Sequence, residues 1–323
     1  MKAIRFSKFG GPDVLTLEDI ALPAPAPGQV RVRHTVIGVN FIDTYQRSGL
    51  YPVSLPSGLG LEAAGIVDAL GDGVTVLQKG DRVGYCSGPL GAYAEENNVP
   101  ADRVVKLPDG ISDEVAAASL LKGMTAQYLL KRTFAVQRGQ TILFHAAAGG
   151  VGTIAGQWAK HLGATVIGTV GSNEKIGPAK ANGYAHVLNT RDDDWAKRVH
   201  EITNGEGVPV VYDSIGKDTW SGSLDCLSVR GCMVSFGNAS GAVPAFEPGI
   251  LAAKGSLYLT RPTLFHYTQT AQALQETAND LFSVIRSGAV KIAVHQRFKL
   301  SEARQAHEAL HSRATTGATV LLP

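Results

Sequence analysis

A glycine-rich segment in the middle of the chain carries the clearest chemical signal. Residues 141–144 form a short apolar run, followed by Ala147-Ala-Gly-Gly-Val-Gly152, a helical pattern and a second apolar run at residues 164–170. A strand, a tight turn, a helix and a second strand in this order are typical of the first half of a dinucleotide-binding unit. Glycines let backbone N–H groups approach a pyrophosphate, and the N-terminus of the helix attracts its charge. The pattern therefore predicts a bound dinucleotide.

Aligning this turn with the Gly-x-Gly-x-x-Gly pattern assigns a task to each small residue. Ala147 stands at the first glycine position, which is acceptable if its φ is negative. Gly149 then makes the close approach to the phosphate, and Gly152 lets the helix pack on the strand. An ordinary turn between a strand and a helix would not need so many small residues in succession.

The residues after the second apolar run indicate which dinucleotide binds. A site for NAD usually carries Asp or Glu about 20 residues after the turn, where it binds the ribose hydroxyls. This strand ends without a carboxylate, and Gly171, Ser172 and Lys175 follow it. A hydroxyl and an ammonium group would donate to a 2′-phosphate, so we expect NADPH. Glu174 weakens this expectation slightly, but its side chain can point away. The alternative is that Lys175 is only a solvent-exposed residue in the first turn of a helix.

A second motif, His307-Glu-Ala-Leu-His311, matches the H-E-x-x-H pattern of zinc proteases. Two histidines one helical turn apart could bind Zn²⁺, but a catalytic zinc site needs a third protein ligand. No His, Asp or Glu follows His311 in the sequence. We therefore interpret the motif as a chance match on a solvent-exposed helix. For His145, next to the glycine turn, both a structural and a functional role are open.

The composition excludes several classes of protein. With 323 residues the chain is long for one domain, so two domains are expected. A formal net charge of +2 without a dense Lys/Arg run argues against a nucleic-acid partner. The 3 cysteines, Cys86, Cys226 and Cys232, contain no Cys-x-x-Cys pair, which argues against a disulfide framework or a cysteine-rich zinc site. No signal peptide or membrane span is recognisable, so a reduced, cytoplasmic protein is expected.

Two kinds of secondary-structure pattern divide the chain. Residues 1 to about 120 are β-rich, with recurring turn signals that predict a compact barrel of short strands, and Ser112 then begins a helix. Residues from about 125 to 260 alternate between apolar runs and helical segments, which predicts an α/β parallel sheet. After residue 262 we expect a helix, strands at residues 290–292, 296–300 and 318–322, and a helix from Glu302. This tail should pack back on the first domain.

Segments spread over nearly the whole chain are similar to one known family. They include Gly38-Val-Asn-Phe-Ile-Asp-Thr-Tyr45, Gly60-Leu-Glu-Ala-Ala-Gly-Ile-Val67, Leu120-Leu-Lys-Gly-Met-Thr-Ala126, His145-Ala-Ala-Ala-Gly-Gly-Val-Gly152 and Leu259-Thr-Arg-Pro262. The chain resembles the zinc-free quinone oxidoreductases of the medium-chain dehydrogenase/reductase superfamily. This resemblance implies a GroES-like β-barrel catalytic domain over 1–124 and 262–323, and a Rossmann doubly wound parallel sheet over 125–261 that binds NADPH. It also implies a cleft between the domains and a homodimer.

The resemblance further implies which residues contact the cofactor. Asn40 and Tyr45 would lie at its nicotinamide end. The other implied contacts are Thr125, Gly149, Gly150 and Val151 at the pyrophosphate, Gly171, Ser172 and Lys175 at the 2′-phosphate, and Phe236, Asn238 and Arg313 around the remainder. Relatives often have a tyrosine where this chain has Thr190. Because threonine has a shorter reach, more of the phosphate binding would fall to Lys175.

Two positions argue against a metal. Zinc alcohol dehydrogenases of the same superfamily have a cysteine and a histidine where this chain has Asn40 and Leu61. Neither side chain is a good ligand for Zn²⁺, so no metal is expected. Without a Lewis acid to stabilise an alkoxide, alcohol oxidation is disfavoured. An acceptor that spreads the incoming charge, such as a quinone or another electron-poor carbonyl, is expected instead.

The expected activity is therefore zinc-independent reduction of a quinone by NADPH in the cleft, with Asn40, Asp43, Tyr45 and Tyr51 lining it. Asn40 and Tyr45 are candidate hydrogen-bond donors to the quinone oxygens, and Tyr51 is a third catalytic candidate. Packing at the barrel edge is the alternative role for both tyrosines. The source of the proton and the number of electrons in each step stay open. Two other functions are considered: an NADPH-dependent 2-alkenal or enone reductase, and a non-catalytic NADPH-binding sensor.

Overall fold

The computed structural model of the chain describes residues 1–192, 194–312 and 315–323. The backbone divides into two compact units. The first unit consists of Met1–Met124, Thr268–Arg286 and Ile292–Pro323, and the second consists of Thr125–Tyr267 and Ser287–Lys291. Within the described residues, none of the helices has both the length and the apolar character that a membrane crossing requires.

The strands and helices are numbered in chain order. The strands before residue 125 are β1 (Lys2–Phe6), β2 (Thr16–Asp19), β3 (Gln29–Val39), β4 (Ser57–Gly58), β5 (Glu62–Leu70), β6 (Arg82–Tyr85), β7 (Glu96–Pro100) and β8 (Val105–Lys106). The later strands are β9 (Thr141–Phe144), β10 (Thr165–Val170), β11 (His186–Asn189), β12 (Val208–Asp213), β13 (Leu227–Ser235), β14 (Tyr258–Thr260), β15 (Val294–Lys299) and β16 (Ala318–Leu322). The helices are α1 (Phe41–Ser48), α2 (Asp113–Tyr128), α3 (Gly150–His161), α4 (Ile176–Ala181), α5 (Trp195–Ile202), α6 (Trp220–Asp225), α7 (Gly249–Ala253), α8 (Leu264–Tyr267), α9 (Ala271–Arg286) and α10 (Ala303–His311).

The first unit is built on sheets of mainly antiparallel strands. The larger sheet has the order β15-β16-β3-β5-β6-β8, with β7 also paired to β3, and the smaller sheet has the order β2-β1-β4. Buried positions alternate with half-buried or exposed ones along the first part of β3, where apolar and polar residues largely alternate in the sequence. The inward side chains form a core that contains Phe6, Ile37, Tyr85 and Tyr93. Because β16 pairs antiparallel with β3, the last strand of the chain lies in the first unit.

The second unit contains a parallel sheet with the order β11-β10-β9-β12-β13-β14. Counted from β9, this is the 3-2-1-4-5-6 order of a Rossmann sheet, so the predicted α/β fold class is confirmed. The strand order reverses between β9 and β12. In open sheets of this kind, ligands bind beyond the carboxyl ends of the strands at the point of reversal. The glycine turn follows β9 and lies at this point.

Two local predictions have different outcomes. The predicted start of α2 is confirmed, because the Ser112 hydroxyl accepts the Val115 N–H at 3.2 Å. The predicted strand at residues 290–292 is wrong, because these residues are irregular and precede β15. Val290 is nevertheless buried, and the Lys291 N–H donates to Gln157 Oε1 at 2.9 Å. Because Val290 is buried and the Lys291 N–H has a side-chain acceptor, this segment does not have to pair with a strand.

Candidate functional site

The glycine turn after β9 is held by backbone contacts. Ala146 lies in the left-handed region with a φ of 53°, and its carbonyl accepts the Gly149 N–H at 2.8 Å. A Cβ on Gly152 would lie 2.2 Å from the same carbonyl oxygen, so only glycine lets α3 come this close to the turn. The predicted packing role of Gly152 is thus confirmed. The positive φ falls on Ala146, and Ala147 keeps the ordinary backbone that its side chain requires.

The first turn of α3 is suited to an anion. Gly149 directly precedes this helix, and Gly150 and Val151 are its first two residues. The N–H groups at the start of a helix have no acceptor within it, and the aligned peptide dipoles add partial positive charge there. The first turn of α3 carries no acidic side chain. These features fit a pyrophosphate. Thr125, also assigned to the pyrophosphate, is half-buried in α2.

The residues after β10 form a more crowded polar site than the sequence indicates. Ser172 precedes a short 3₁₀ turn, Asn173–Lys175, and the Lys175 N–H donates to the Ser172 carbonyl at 3.2 Å. A side-chain hydrogen bond with Ser172 lowers the pKa of the Glu174 carboxyl. Glu174 therefore does not point away from the proposed phosphate contacts. Gly171 has open space around it, since no neighbouring atom lies within 4 Å of a Cβ added there.

The end of β11 contributes a cation that the sequence analysis did not assign. Asn189 Nδ2 donates to Asn173 Oδ1 at 3.0 Å, and Asn189 Oδ1 accepts the Arg191 N–H at 3.1 Å. After the Ser172 hydrogen bond, the charge of Arg191 is a further cause of the lowered pKa of Glu174. The Thr190 hydroxyl donates to the Val170 carbonyl at 3.3 Å. Arg191 is thus near the charged groups after β10, whereas the Thr190 hydroxyl bonds to the backbone.

The remaining predicted cofactor contacts lie after β13. Phe236 follows this strand directly; its N–H donates to the Asp213 carbonyl at 2.7 Å, and its ring centroid lies 5.7 Å from that of Phe144. The Asn238 carbonyl accepts the Gly241 N–H at 2.9 Å. Arg261 donates to Ser235 Oγ at 3.2 Å and to the Gly237 carbonyl at 3.1 Å. Arg313 lies outside the described residues.

His145 has a structural environment. Its Nδ1 is 2.7 Å from Thr169 Oγ1, and its Nε2 is 2.9 Å from Ser223 Oγ. Because the Ser223 hydroxyl donates to Asp213 Oδ2 at 2.7 Å, its oxygen must accept the Nε2 proton of His145. Nδ1 then accepts from Thr169. Burial lowers the pKa of this fully buried histidine and keeps it neutral. His145 therefore ties the end of β9 to β10 and α6.

In the first unit, the three catalytic candidates lie at or beside α1. Asn40 precedes this helix and is only 5% exposed, and its backbone N–H donates to Asp43 Oδ2 at 2.8 Å. Its side-chain Nδ2 donates to Glu62 Oε2 at 2.8 Å. Tyr45 and Tyr51 are half-buried, with ring centroids 5.2 Å apart in an edge-to-face arrangement. Glu62, the partner of Asn40, is not among the site residues predicted from the sequence.

The expectation that Asp43 faces the substrate is wrong. Asp43 is fully buried, and its Oδ2 also accepts the Tyr93 hydroxyl at 2.9 Å. Its Oδ1 has no hydrogen-bond donor among the described residues. Burial raises the pKa of this carboxyl to about 7. The side chain points inward because it accepts the N–H of Asn40 at the N-terminus of α1, a common place for aspartate.

The histidine motif is also different from its sequence interpretation. His307 is fully buried, so α10 is not a wholly solvent-exposed helix. Arg47 donates to His307 Nδ1 at 3.1 Å, which places the ring proton on Nε2, 3.1 Å from the Tyr93 oxygen. Burial and the Arg47 charge lower the pKa of His307 to about 3. Both ring nitrogens are thus used, while Glu308 pairs with Arg304 at 2.9 Å on the exposed side of the helix.

Comparisons with known proteins agree with this architecture. Residues 26–109 match the family described as alcohol dehydrogenase GroES-like domain, and residues 150–281 match the family described as zinc-binding dehydrogenase. Quinone oxidoreductase from Pseudomonas aeruginosa is 54% identical over 100% of this chain and 99% of that protein. Quinone oxidoreductase 1 from Escherichia coli is 53% identical over 99% of both. The crystal structure of Escherichia coli quinone oxidoreductase complexed with NADPH covers 100% of both chains with a TM-score of 0.99 and 53% identity.

The chain belongs to the quinone oxidoreductase family of the medium-chain dehydrogenase/reductase superfamily. The identity extends over the whole length, and the predicted resemblance and fold class are confirmed. A relative with a different activity in its name is also similar: 2-haloacrylate reductase from a Burkholderia species is 47% identical over 98% of this chain and 97% of that protein.

The donor set of this family member does not fit a zinc site of the alcohol dehydrogenase kind. Asn40 holds Glu62 through its amide, and Leu61 is a buried apolar side chain without a donor atom for a metal. Within residues 1–192, 194–312 and 315–323, no three His, Cys, Asp or Glu side chains are grouped so that they could hold a metal ion. The similarity to the family described as zinc-binding dehydrogenase therefore lies in the Rossmann portion of the chain. That the chain works without a metal stays a prediction.

Proposed function

We propose that this chain is an NADPH-dependent quinone reductase that works without zinc. Full-length identity of 53% to Escherichia coli quinone oxidoreductase, with a TM-score of 0.99 to its NADPH complex, carries the proposal. The chemistry of the site agrees with it. The second unit offers an uncharged glycine turn to a pyrophosphate, and the first unit offers amide and hydroxyl groups in place of zinc ligands.

The second unit would bind the cofactor through contacts that the turn geometry supports. Gly149, Gly150 and Val151 would donate backbone N–H groups to the pyrophosphate. Lys175 and Ser172 would bind the 2′-phosphate, and we add Arg191 to them because its charge acts on the same carboxylate, Glu174. The remaining predicted contacts, Thr125, Gly171, Phe236, Asn238 and Arg313, are kept as proposals.

The 2′-phosphate contacts can be tested by one substitution with a neighbouring control. We expect Lys175→Ala to raise the KM for NADPH about tenfold or more and to leave the KM for NADH nearly unchanged, because a charge-assisted hydrogen bond is lost. Lys180→Ala, in the exposed part of α4, should leave both constants near wild type. Equal effects of Lys175→Ala on both dinucleotides would contradict the assignment.

The first unit would bind and orient the acceptor. When bound, NADPH supplies a hydride from its nicotinamide ring. We propose that Asn40 and Tyr45 donate hydrogen bonds to the acceptor oxygen on which negative charge develops, and that Tyr51 supports Tyr45 through their ring contact. Such preorganised donors stabilise charge without a metal, and they suit an acceptor that spreads the charge over a conjugated system.

A panel of acceptors tests the proposed activity. The loss of NADPH absorbance should be followed with several quinones and several enones at equal protein concentration. Quinones are expected to give the highest kcat/KM, and a chelator should not lower it. Saturable NADPH binding without turnover of any acceptor would favour a non-catalytic sensor instead.

A second activity is suggested by the similarity to 2-haloacrylate reductase, 47% identical to this chain. A haloacrylate carries a conjugated C=C bond, as the 2-alkenals and enones of the alternative function do. A kcat/KM for enones or haloacrylates above that for every quinone in the same panel would make this alternative the principal activity.

The organisation of the protein is proposed in the same terms. We propose that residues 1–124 and 262–323 form the catalytic domain and residues 125–261 the NADPH-binding domain, a division that differs from the compact units at residues 262–267 and 287–291. We also propose a homodimer in the cytoplasm. Light scattering on the purified chain would show the mass of a dimer, and cell fractionation would recover the protein without membranes. A monomeric mass would contradict the proposed assembly.

A further inference from the structure

A buried ion pair lies directly behind the side chain of Asn40. Glu62 Oε2 accepts Asn40 Nδ2 at 2.8 Å and the Lys122 ammonium group at 3.1 Å. Glu62 Oε1 accepts the Leu121 N–H at 2.7 Å. The side chain of Glu62 is inaccessible to solvent and that of Lys122 is 8% exposed, so the pair is inside the first unit.

The absence of a side chain at Gly38 leaves room for the Glu62 carboxylate. Gly38 in β3 pairs with Glu62 in β5. A Cβ on Gly38 would lie 2.3 Å from Glu62 Oε2 and 2.2 Å from the Ala117 carbonyl oxygen. Because any other residue at position 38 would displace the carboxylate, Glu62 is built into the sheet at a fixed place behind Asn40.

The hydrogen-bond donors around Glu62 define the orientation of the Asn40 amide. An ammonium group and a backbone N–H can only donate, so the groups beside Glu62 require a carboxylate that accepts. Asn40 must therefore direct its Nδ2 toward Glu62. One amide hydrogen is used, and the second hydrogen and Oδ1 are held in set directions. If the Asn40 amide were flipped, its Oδ1 would face the Glu62 carboxylate, which has no hydrogen to donate.

We propose that Glu62, supported by Lys122, is a positioning residue for quinone reduction, acting through the carboxamide of Asn40. The inference rests on the proposed function, in which Asn40 binds the acceptor oxygen. Glu62 does not itself touch the acceptor, because it is fully buried. Replacing Glu62 should therefore lower kcat, and it should do so only in a protein that contains Asn40.

A double-mutant cycle tests this dependence. The proteins are wild type, Asn40→Ala, the pair Glu62→Gln with Lys122→Met, and all three substitutions together. The paired substitution removes both buried charges and leaves no ammonium group unmatched. We expect it to lower kcat with a quinone about tenfold, since a misplaced group near the reacting atoms costs on the order of ten- to a hundredfold. The KM for NADPH should change less than about twofold, because the cofactor contacts lie elsewhere. In the Asn40→Ala background, the paired substitution should have no further effect on kcat.

The other outcomes would contradict the proposed role of Glu62 or the function on which it rests. A further fall of about tenfold in the triple variant would show that Glu62 acts independently of Asn40 and would overturn the inference, as would a wild-type kcat in the paired variant. A wild-type kcat in Asn40→Ala would remove the premise and overturn it too. No turnover of quinones by wild type would contradict the proposed function itself, together with this role.

A matched control separates positioning from general loss of structure. Asp113 accepts Arg82 at 2.6 Å and the Thr35 hydroxyl at 2.7 Å, a partly buried ion pair in the same unit. Asp113→Asn should leave kcat unchanged. Circular dichroism spectra and melting temperatures of all variants show whether they are folded at the assay temperature. An equal fall in kcat for Asp113→Asn and the paired variant would mean that Glu62 has only a structural role.

Discussion

Two buried carboxylates occupy comparable places in the two units of the chain. Glu62 is the first residue of β5 in the first unit, and Asp213 is the last residue of β12 in the second. Both are inaccessible to solvent. Glu62 faces an ammonium group, a side-chain amide and a backbone N–H. The donors to Asp213 are the N–H groups of Ile215 and Gly216 and the hydroxyls of Thr219 and Ser223.

The difference shows two ways to keep a carboxylate inside a protein. A cation offsets the charge directly, but its removal leaves a buried charge without compensation. Neutral dipoles share the charge among several groups, and each of these groups is fixed in place by its bond. Asp213 thereby orders the loop after β12, and through Ser223 it holds His145 beside the glycine turn. Glu62 instead orients one side chain, that of Asn40.

The largest loss of stability should come from removing the ammonium group of Lys122 alone. Lys122→Met leaves Glu62 buried without its charge partner and should lower the free energy of unfolding by about 3–5 kcal/mol. The paired variant with Glu62→Gln should lose less, because neither charge remains. Arg297→Gln is the control: it breaks an exposed ion pair with Glu114 and should leave the free energy of unfolding near that of wild type. Urea unfolding followed by circular dichroism measures all three, and a wild-type midpoint for Lys122→Met would contradict the charge compensation.

A smaller but still large effect is expected for the carboxylate that only dipoles surround. In Asp213→Asn, one oxygen becomes an NH₂ group that faces donors, so about 3 kcal/mol should be lost. Asp218→Asn, exposed in the same loop, should be near wild type. The 3 tryptophans, Trp158, Trp195 and Trp220, all lie in the second unit, so their fluorescence reports the unfolding of that unit. If Asp213→Asn and Asp218→Asn unfolded at the same urea concentration, the dipoles around Asp213 would not contribute to the stability of the second unit.

The smallest of the three effects concerns Asp43 in the first unit and is a change in how the free energy of unfolding depends on pH. Burial raises the pKa of Asp43 to about 7, against 3.8 for an ordinary aspartate, with Tyr93, Lys122 and Glu62 as its polar neighbours. Between these values the folded chain binds more protons than the unfolded chain, so this group's contribution to stability falls as the pH rises. From about pH 5 to about pH 7 the loss amounts to roughly 2 kcal/mol.

Asp43→Asn removes this titration, so its free energy of unfolding should fall less over that pH range than that of wild type. The buried histidines act in the opposite direction: burial lowers the pKa of His34 to about 4, so stability from this group is lost as the pH falls below 6.5. Because wild type and Asp43→Asn both contain these histidines, their effect cancels in the comparison. Parallel pH profiles of the two proteins would show that Asp43 does not titrate in this range.

Local features of the fold could be predicted from the sequence. The glycine turn was recognisable because its strand, turn and helix are consecutive, and Gly152 has its role through a carbonyl six residues earlier. The alternation of apolar runs and helical segments that became the parallel sheet was recognisable for the same reason. The segment at residues 290–292 was misassigned because a short apolar run indicates burial and does not specify a strand partner.

The polar interior could not be predicted, because its partners are distant in the sequence. His307 binds Arg47 across 260 positions and Tyr93 across 214, which turned an expected exposed motif into a buried one. Glu62 reaches Asn40 across 22 positions and Lys122 across 60. Nothing in the local patterns around these residues specifies such pairs. Glu174 beside Ser172 is an exception, since the two are close enough for their contact to have been considered.

We propose above all that the chain selects NADPH and passes its reducing equivalents to a quinone. The most direct test is the ratio of kcat/KM for NADPH to that for NADH, measured with one quinone and the wild-type chain. Because two cations, Lys175 after β10 and Arg191 after β11, outweigh the single carboxylate of this site, Glu174, we expect a ratio of at least about ten. A ratio near one would contradict selection of NADPH, and no oxidation of either dinucleotide by the quinone would contradict the proposed activity.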